Sequence, residues 1–195
     1  MPQPNTPLAD DAQRLRQHNL QTIDQALAVV AAHRVAGSAV FAGTVGAHLR
    51  HVIEHYDALL FPAVAGEVHY DRRARDRALE QDPALAHARL QAIGEHLAQH
   101  RLPDMTTPVR VHGVGGLAGE LAFSVESTFG RELAFVAAHA VHHYALLQLH
   151  GMQNGIELGA DFGKAPATVA FERDRATPSI PTTKDTPCFA TDSAA

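Results

Sequence analysis

The segment FVAAHAVHHYALL, Phe135–Leu147, is the most informative part of this sequence for its fold and its chemistry. Neither glycine nor proline occurs between Arg131 and His150, and the apolar side chains recur at the spacing of one helical face. His139 and His143 fall on that face. Because side chains four residues apart stack one turn apart, both imidazoles can reach one divalent cation. The stretch therefore predicts a core helix that carries two candidate metal ligands.

A pair of histidines alone does not establish a metal site, because the chain has 14 histidines in 195 residues. Some pairs at positions i and i+4 arise by chance in such a sequence, and satisfied core or surface histidines are the alternative interpretation. Two neighbouring imidazoles buried without partners would cost free energy, and a shared metal removes that cost. A third ligand decides between the two interpretations.

Apolar periodicity and capping signals predict four long helices. We expect, in order, a helix from Asp10 or Asp11 to Gly37, a helix from Thr44 to Pro62, a helix over Pro83–His100 behind an Asp82 cap, and a helix from Ser127 or Thr128 to Gly151 or Gly155. A short helical piece within residues 71–80 can adjoin the third helix. These four segments predict an all-α fold.

Residues 102–126 show a different pattern, in which prolines and glycines interrupt helical periodicity. Alternation over Val109–Val111 and Leu121–Val125 predicts a short β-hairpin or an ordered loop before the last helix. Beyond Arg175 the chain is rich in threonine, proline, serine and aspartate, which is typical of disorder. We therefore expect one domain over residues 1–175 and a disordered tail over residues 176–195.

Composition excludes several classes of function. The chain is 46% hydrophobic and 19% charged, with a formal net charge of −5, so it has no basic face for nucleic acid. The short run Asp71–Arg75 is interrupted by acids and predicts a solvated helix end. A single cysteine, Cys188, indicates a reducing compartment without an internal disulfide. Without a signal peptide or a membrane-length apolar run, we expect a soluble cytoplasmic protein.

The second predicted helix offers the third ligand. Its sequence GAHLRHVIEHY, Gly46–Tyr56, contains His48, His51 and His55. One of these with the pair on the last helix would supply three neutral imidazoles and leave coordination positions open. Helical periodicity places His48 and His55 nearer the centre of the apolar face than His51, so the pattern alone favours His48 or His55.

Two motifs together resemble the DinB-like superfamily: TVGAHLRH, Thr44–His51, and HAVHH, His139–His143. The resemblance covers roughly Asp10–Gly155, and Asp161–Thr168 is similar to the end of an uncharacterised bacterial branch. It implies an up-down-down-up four-helix bundle that binds a divalent metal, most often zinc or nickel. Carried over position by position, the resemblance implies His51, His139 and His143 as the metal ligands, with His48 and His55 as alternates.

The resemblance also implies a function. Characterised relatives include thiol-dependent S-transferases and an isomerase that use low-molecular-weight bacterial thiols. We therefore expect a metal-dependent enzyme that activates a thiol or a water toward a small-molecule substrate, as a thiol transferase or a hydrolase does. The alternative is a non-catalytic metal-binding stress-response protein, since many members have no assigned activity. Bundles of this kind also make a homodimer a candidate assembly.

Glu54 and Tyr144 are further candidates for catalysis, and Glu132 is a weaker one. Glu54 lies one turn from His51, and Glu132 opens the last helix, so either carboxylate could accept an imidazole N–H or act as a general base. An exposed or capping carboxylate is the alternative for both. Tyr144 could donate to a substrate, although an amphipathic ring at helical spacing is also typical of a core.

Overall fold

The computed structural model describes residues 8–36 and 41–176, which fall into two compact units, one up to Ala165 and one from Pro166. The elements are α1 (Leu8–Ala36), α2 (Gly46–Leu60), β1 (Glu67–His69), α3 (Arg77–Gln81), α4 (Pro83–Gln99), β2 (Pro108–Gly115), β3 (Leu121–Thr128), α5 (Phe129–Gln153) and α6 (Pro166–Ala176). Only α6 belongs to the second unit. In the described part of the chain, no helix is long and apolar enough to cross a membrane.

The starts of α4 and α5 follow their predicted caps. The side chain of Asp82 accepts the backbone N–H groups of Ala84 and Leu85, at 2.8 and 3.3 Å. Pro83 occupies the first turn of α4, where its missing N–H removes no helical hydrogen bond. The hydroxyl of Thr128 accepts the N–H of Arg131 at 3.3 Å. These two local predictions are confirmed.

The start of α2 differs from its prediction. Thr44 does not cap the helix; the residue at the cap is Val45, without a side-chain hydrogen bond. A kinked segment, Phe41–Val45, comes first, and Gly43 adopts a φ of 98°, a conformation that favours glycine. Gly46 then lies so close to α3 that an added Cβ would lie 1.9 Å from the carbonyl oxygen of Glu80. Close packing against α3 therefore determines where α2 begins.

The predicted all-α four-helix bundle is wrong as a fold class, because residues 8–36 and 41–176 combine six helices with a three-stranded mixed sheet in the order β1-β2-β3. β2 and β3 form an antiparallel pair, in which Pro108 lies opposite Thr128. β1 adds a parallel pair, in which Val68 lies opposite Val111. A three-residue strand has no periodicity to detect, and its parallel partner lies about forty residues away.

The core of the first unit lies between the long helices and extends under the sheet. α1 packs against α4 and α5, and α2 packs against the same two helices. The sheet contacts α2 through β1 and α5 through β3. Val109 and Val111 are buried, so alternate residues of β2 point to the opposite face of the sheet.

The predicted C-terminal tail lies almost wholly outside the described residues. Ala176 ends α6, whereas residues 177–195, which include Cys188, are not described. The predicted stop of the first helix at Gly37 also lies outside the described residues, and α1 extends to Ala36. Asp10 and Asp11 lie within the first turn of α1.

Candidate metal centre

The packing of α2 against α5 brings three histidines together. The Nε2 atom of His51 lies 2.8 Å from Nε2 of His139, and Nε2 of His143 lies 3.2 Å from the same atom. One ligand atom from each residue lies within 4.8 Å of the other two. We call these residues the helix cluster. Their arrangement could hold a metal ion.

The donor set of the helix cluster fits a cation. A neutral imidazole has one N–H and one lone pair, so three nitrogens directed at one point cannot all satisfy one another. Three lone pairs directed at one cation satisfy all of them. Ligand nitrogens around a tetrahedral zinc lie roughly 3.3 Å apart, which is close to the 3.2 Å between His143 and His139.

The protonation state of the helix cluster also suits metal binding. Burial, together with the neighbouring imidazoles and Arg73, lowers the pKa of His51 to about 2. Burial and the adjacent histidines lower the pKa of His143 to about 3, and burial lowers the pKa of His139 as well. Ligating imidazoles must be neutral, and the lowered pKa values keep all three rings neutral at neutral pH.

The alternate ligands surround the helix cluster. Nδ1 of His48 lies 2.7 Å from Nδ1 of His143. The other nitrogen of His143, Nε2, faces His139. His55 donates from Nδ1 to the carbonyl of His51 at 2.7 Å, and its ring centroid lies 4.4 Å from that of His139. The structure thus places His51 in the three-residue group, whereas helical periodicity favoured His48 or His55.

Arg73 contacts the helix cluster, which the sequence did not indicate. Its guanidinium donates to Nδ1 of His51 at 2.6 Å and lies 3.4 Å from the carboxylate of Glu54. Glu54 is buried and also accepts the backbone N–H of Asp76 at 2.8 Å. The prediction that residues 71–75 form a solvated helix end is wrong at Arg73, whose side chain is only 11% exposed.

The contact with Arg73 determines which nitrogen of His51 carries the proton. An arginine only donates, so Nδ1 of His51 accepts, and the proton of a neutral ring lies on Nε2. A cation at Nε2 requires the proton on Nδ1 instead, where Arg73 cannot accept it. Arg73 therefore opposes cation binding at His51 through both its charge and its hydrogen bond.

Glu132 belongs to a buried network next to the cluster. Its carboxylate accepts the hydroxyls of Tyr70 and Ser127, at 2.8 and 2.6 Å, and a guanidinium N–H of Arg131 at 2.7 Å. Tyr70 in turn stacks on His55, with ring centroids 5.2 Å apart. Because three donors already engage the carboxylate, its contacts support a structural role that joins the start of α5 to the residue after β1.

Tyr144 has core contacts rather than contacts with the helix cluster. Its side chain is buried, its hydroxyl donates to the carbonyl of Thr22 at 3.0 Å, and its ring stacks on Phe162. Burial raises the pKa of this phenol well above its ordinary value. The residue therefore joins α5 to α1.

Comparison with known proteins leaves the family of this chain open. No protein-family model matches the sequence, and no solved structure matches it. A curated protein named FK506-binding protein 5, from Rhizopus delemar, is 28% identical over 102 residues, which cover 52% of this chain and 26% of that protein. The chain thus spans about a quarter of that relative's length. This match does not bear on the DinB-like resemblance.

Proposed function

We propose that this chain is a metal-dependent enzyme of the DinB-like type, with one divalent cation on His51, His139 and His143. The observation that carries the proposal is the convergence of three histidines: Nε2 of His139 lies 2.8 Å from Nε2 of His51 and 3.2 Å from Nε2 of His143, and one ligand atom from each lies within 4.8 Å of the other two. Zinc and nickel are the cations that a site of three imidazoles favours. Such a cation lowers the pKa of a bound thiol or water and supplies a nucleophile near neutral pH.

The residues around the helix cluster support an anionic reactant. Arg73 places a positive charge next to His51, and the same guanidinium nitrogen, Nη1, lies 3.4 Å from the carboxylate of Glu54. A thiolate or a carboxylate-bearing substrate is attracted by such a charge. We therefore propose a small anionic molecule as the substrate, with a low-molecular-weight thiol as the first class to screen.

The direct test is elemental analysis of full-length protein prepared without a His tag or a nickel column. We expect the zinc or nickel content to fall by about one ion per chain in His139→Ala and in His143→Ala, because two imidazoles rarely hold the ion alone. His150→Ala is the matched control, since this residue lies on the same helix but stacks on His33. Full metal content in the double variant His139→Ala/His143→Ala would refute the site.

A non-catalytic metal-binding protein is the second candidate, and the positions of His48 and His55 favour it. Each ring lies against a member of the helix cluster but outside the group of ligand atoms that lie within 4.8 Å of one another, so it would have to move inward to supply a fourth ligand that closes the coordination sphere. Cobalt-substituted protein separates the two candidates. A change in the visible spectrum on adding a small thiol shows an open position and favours the enzyme, whereas an unchanged spectrum favours the closed site.

A further inference from the structure

The outer face of the sheet carries a second group of metal-ligating side chains. In the parallel pair of β1 and β2, His69 lies directly opposite His112, and Glu67 precedes His69 by two residues on the same face. The two imidazole centroids are 4.2 Å apart, and the ring planes differ by 9°. The carboxylate of Glu67 contacts Nε2 of His112. One ligand atom from each residue lies within 4.8 Å of the other two.

This group, which we call the sheet cluster, is accessible to a hydrated cation. The side chains of Glu67 and His112 are 33% and 30% exposed, on the face opposite the buried Val109 and Val111. Glu67 and His69 also line a groove of about 460 Å³ next to the end of α2. Water can therefore complete a coordination sphere that three protein ligands begin.

We propose that Glu67, His69 and His112 form a second divalent-cation site, separate from the helix cluster. Two imidazoles and one carboxylate are a donor set that binds zinc, and the carboxylate supplies a negative charge that the helix cluster lacks. Both imidazole rings already lie side by side on one face of the ladder, and a tilt of one ring directs a nitrogen of each at a common cation. The inference does not depend on the proposed enzyme activity.

A cation at the sheet cluster would link β1 to β2 near the helix cluster. β1 contains only three residues, and it leads directly into the segment that carries Tyr70 and Arg73. Those two residues contact His55 and His51, respectively. A cation at the sheet cluster would therefore restrain the segment whose side chains contact His51 and the adjacent His55.

The test is a two-by-two comparison of metal stoichiometry in full-length, chelator-stripped protein titrated with zinc by calorimetry. We expect about two equivalents in the wild type, about one in His139→Ala/His143→Ala, about one in His69→Ala/His112→Ala, and none in the quadruple variant. The control is His96→Ala/His100→Ala, which removes another stacked histidine pair, with centroids 4.6 Å apart. It should bind as the wild type does.

The outcomes separate this site from the helix site. The inference is overturned if His69→Ala/His112→Ala keeps the stoichiometry of the wild type, or if His139→Ala/His143→Ala binds no zinc while its circular dichroism is native. An unchanged stoichiometry in the helix variant would instead count against the proposed function. Glu67→Gln preserves the shape of the side chain, and we expect it to weaken zinc at the sheet cluster by about tenfold or more. Unchanged affinity there would also overturn the inference.

Discussion

The helix cluster and the sheet cluster differ in the elements that carry them. His51 lies on a helix of 15 residues, and His139 and His143 lie on a helix of 25 residues, both anchored in the core. Two members of the sheet cluster lie instead on a strand of three residues. The first cluster is held by helix packing on several sides. In the second, the strand that carries Glu67 and His69 is held by one ladder of strand hydrogen bonds, and the cluster is partly exposed to solvent. We therefore expect the long helices to position their ligand atoms more precisely than the three-residue strand does.

This difference predicts a large difference in metal affinity. We expect the helix cluster to bind zinc on the order of 100-fold more tightly, because its nitrogens already converge while an exposed carboxylate must lose side-chain freedom on binding. Competition with chelators of graded affinity measures both constants, with one cluster replaced at a time. Equal affinities, or tighter binding by the sheet cluster, would show that the charge of Glu67 outweighs the positioning by the helices.

The next prediction concerns Arg73, whose guanidinium contacts His51 of the helix cluster. Arg73→Met keeps most of the side-chain volume but removes the charge and the donor to His51. We expect zinc to bind the helix cluster roughly tenfold more tightly, because both the repulsion and the competing hydrogen bond disappear. The measurement is a zinc titration in the His69→Ala/His112→Ala background.

Arg72→Met is the matched control for Arg73→Met, because Arg72 is the preceding residue and is exposed. It should leave the affinity of the helix cluster unchanged. Weaker zinc binding in Arg73→Met would mean that the contact of Arg73 with His51 orients the imidazole for metal binding rather than opposing it.

The same two clusters show which parts of a site a sequence can predict. His139 and His143 share one face of an uninterrupted helix, so their spacing indicates their proximity to each other. The choice of His51 over its neighbours depends on the contact of α2 with α5, and helical periodicity alone favoured the other two histidines. Local caps such as Asp82 were predictable because a cap depends on neighbouring residues only.

The sheet cluster could not be predicted, because it depends on a pairing between distant segments. Val68 and Val111 lie opposite each other in a parallel ladder, and nothing in either local pattern specifies that register. Arg73 was missed for a related reason: a charged run with few apolar neighbours resembles a solvated surface, although its side chain lies against His51. The mixed sheet therefore accounts for both the wrong fold class and the missed sheet cluster.

A smaller effect concerns the stability of the metal-free protein at acid pH. The pKa of His51 in the folded state is about 2, below the value of about 6.5 expected for the unfolded chain. The unfolded state therefore binds this proton first, so His51 destabilises the fold as pH falls below about 6.5. Allowing for partial exposure, we expect a loss on the order of 1 kcal/mol at pH 5 from this residue.

Urea unfolding of chelator-treated protein at pH 7 and pH 5 measures this pH dependence. His51→Gln removes the titrating group, so the difference in unfolding free energy between the two pH values should shrink. Leu147→Ala is the control, because it removes a buried apolar side chain and should lower stability equally at both pH values. An equal pH dependence in His51→Gln and the wild type would contradict the lowered pKa.

The last prediction concerns Tyr144, a core residue directly next to the helix cluster. Tyr144 follows His143 in sequence, yet its hydroxyl donates to Thr22, which lies on α1. Tyr144→Phe should therefore lower the unfolding free energy by about 1 kcal/mol, the usual net value of a buried hydrogen bond, and leave zinc affinity and turnover unchanged. A substantial loss of turnover with native stability would return Tyr144 to the catalytic candidates. That result would mean that His143 and Tyr144 serve the same site although they lie on different faces of α5. The contacts of Tyr144 with Thr22 and Phe162 argue against it.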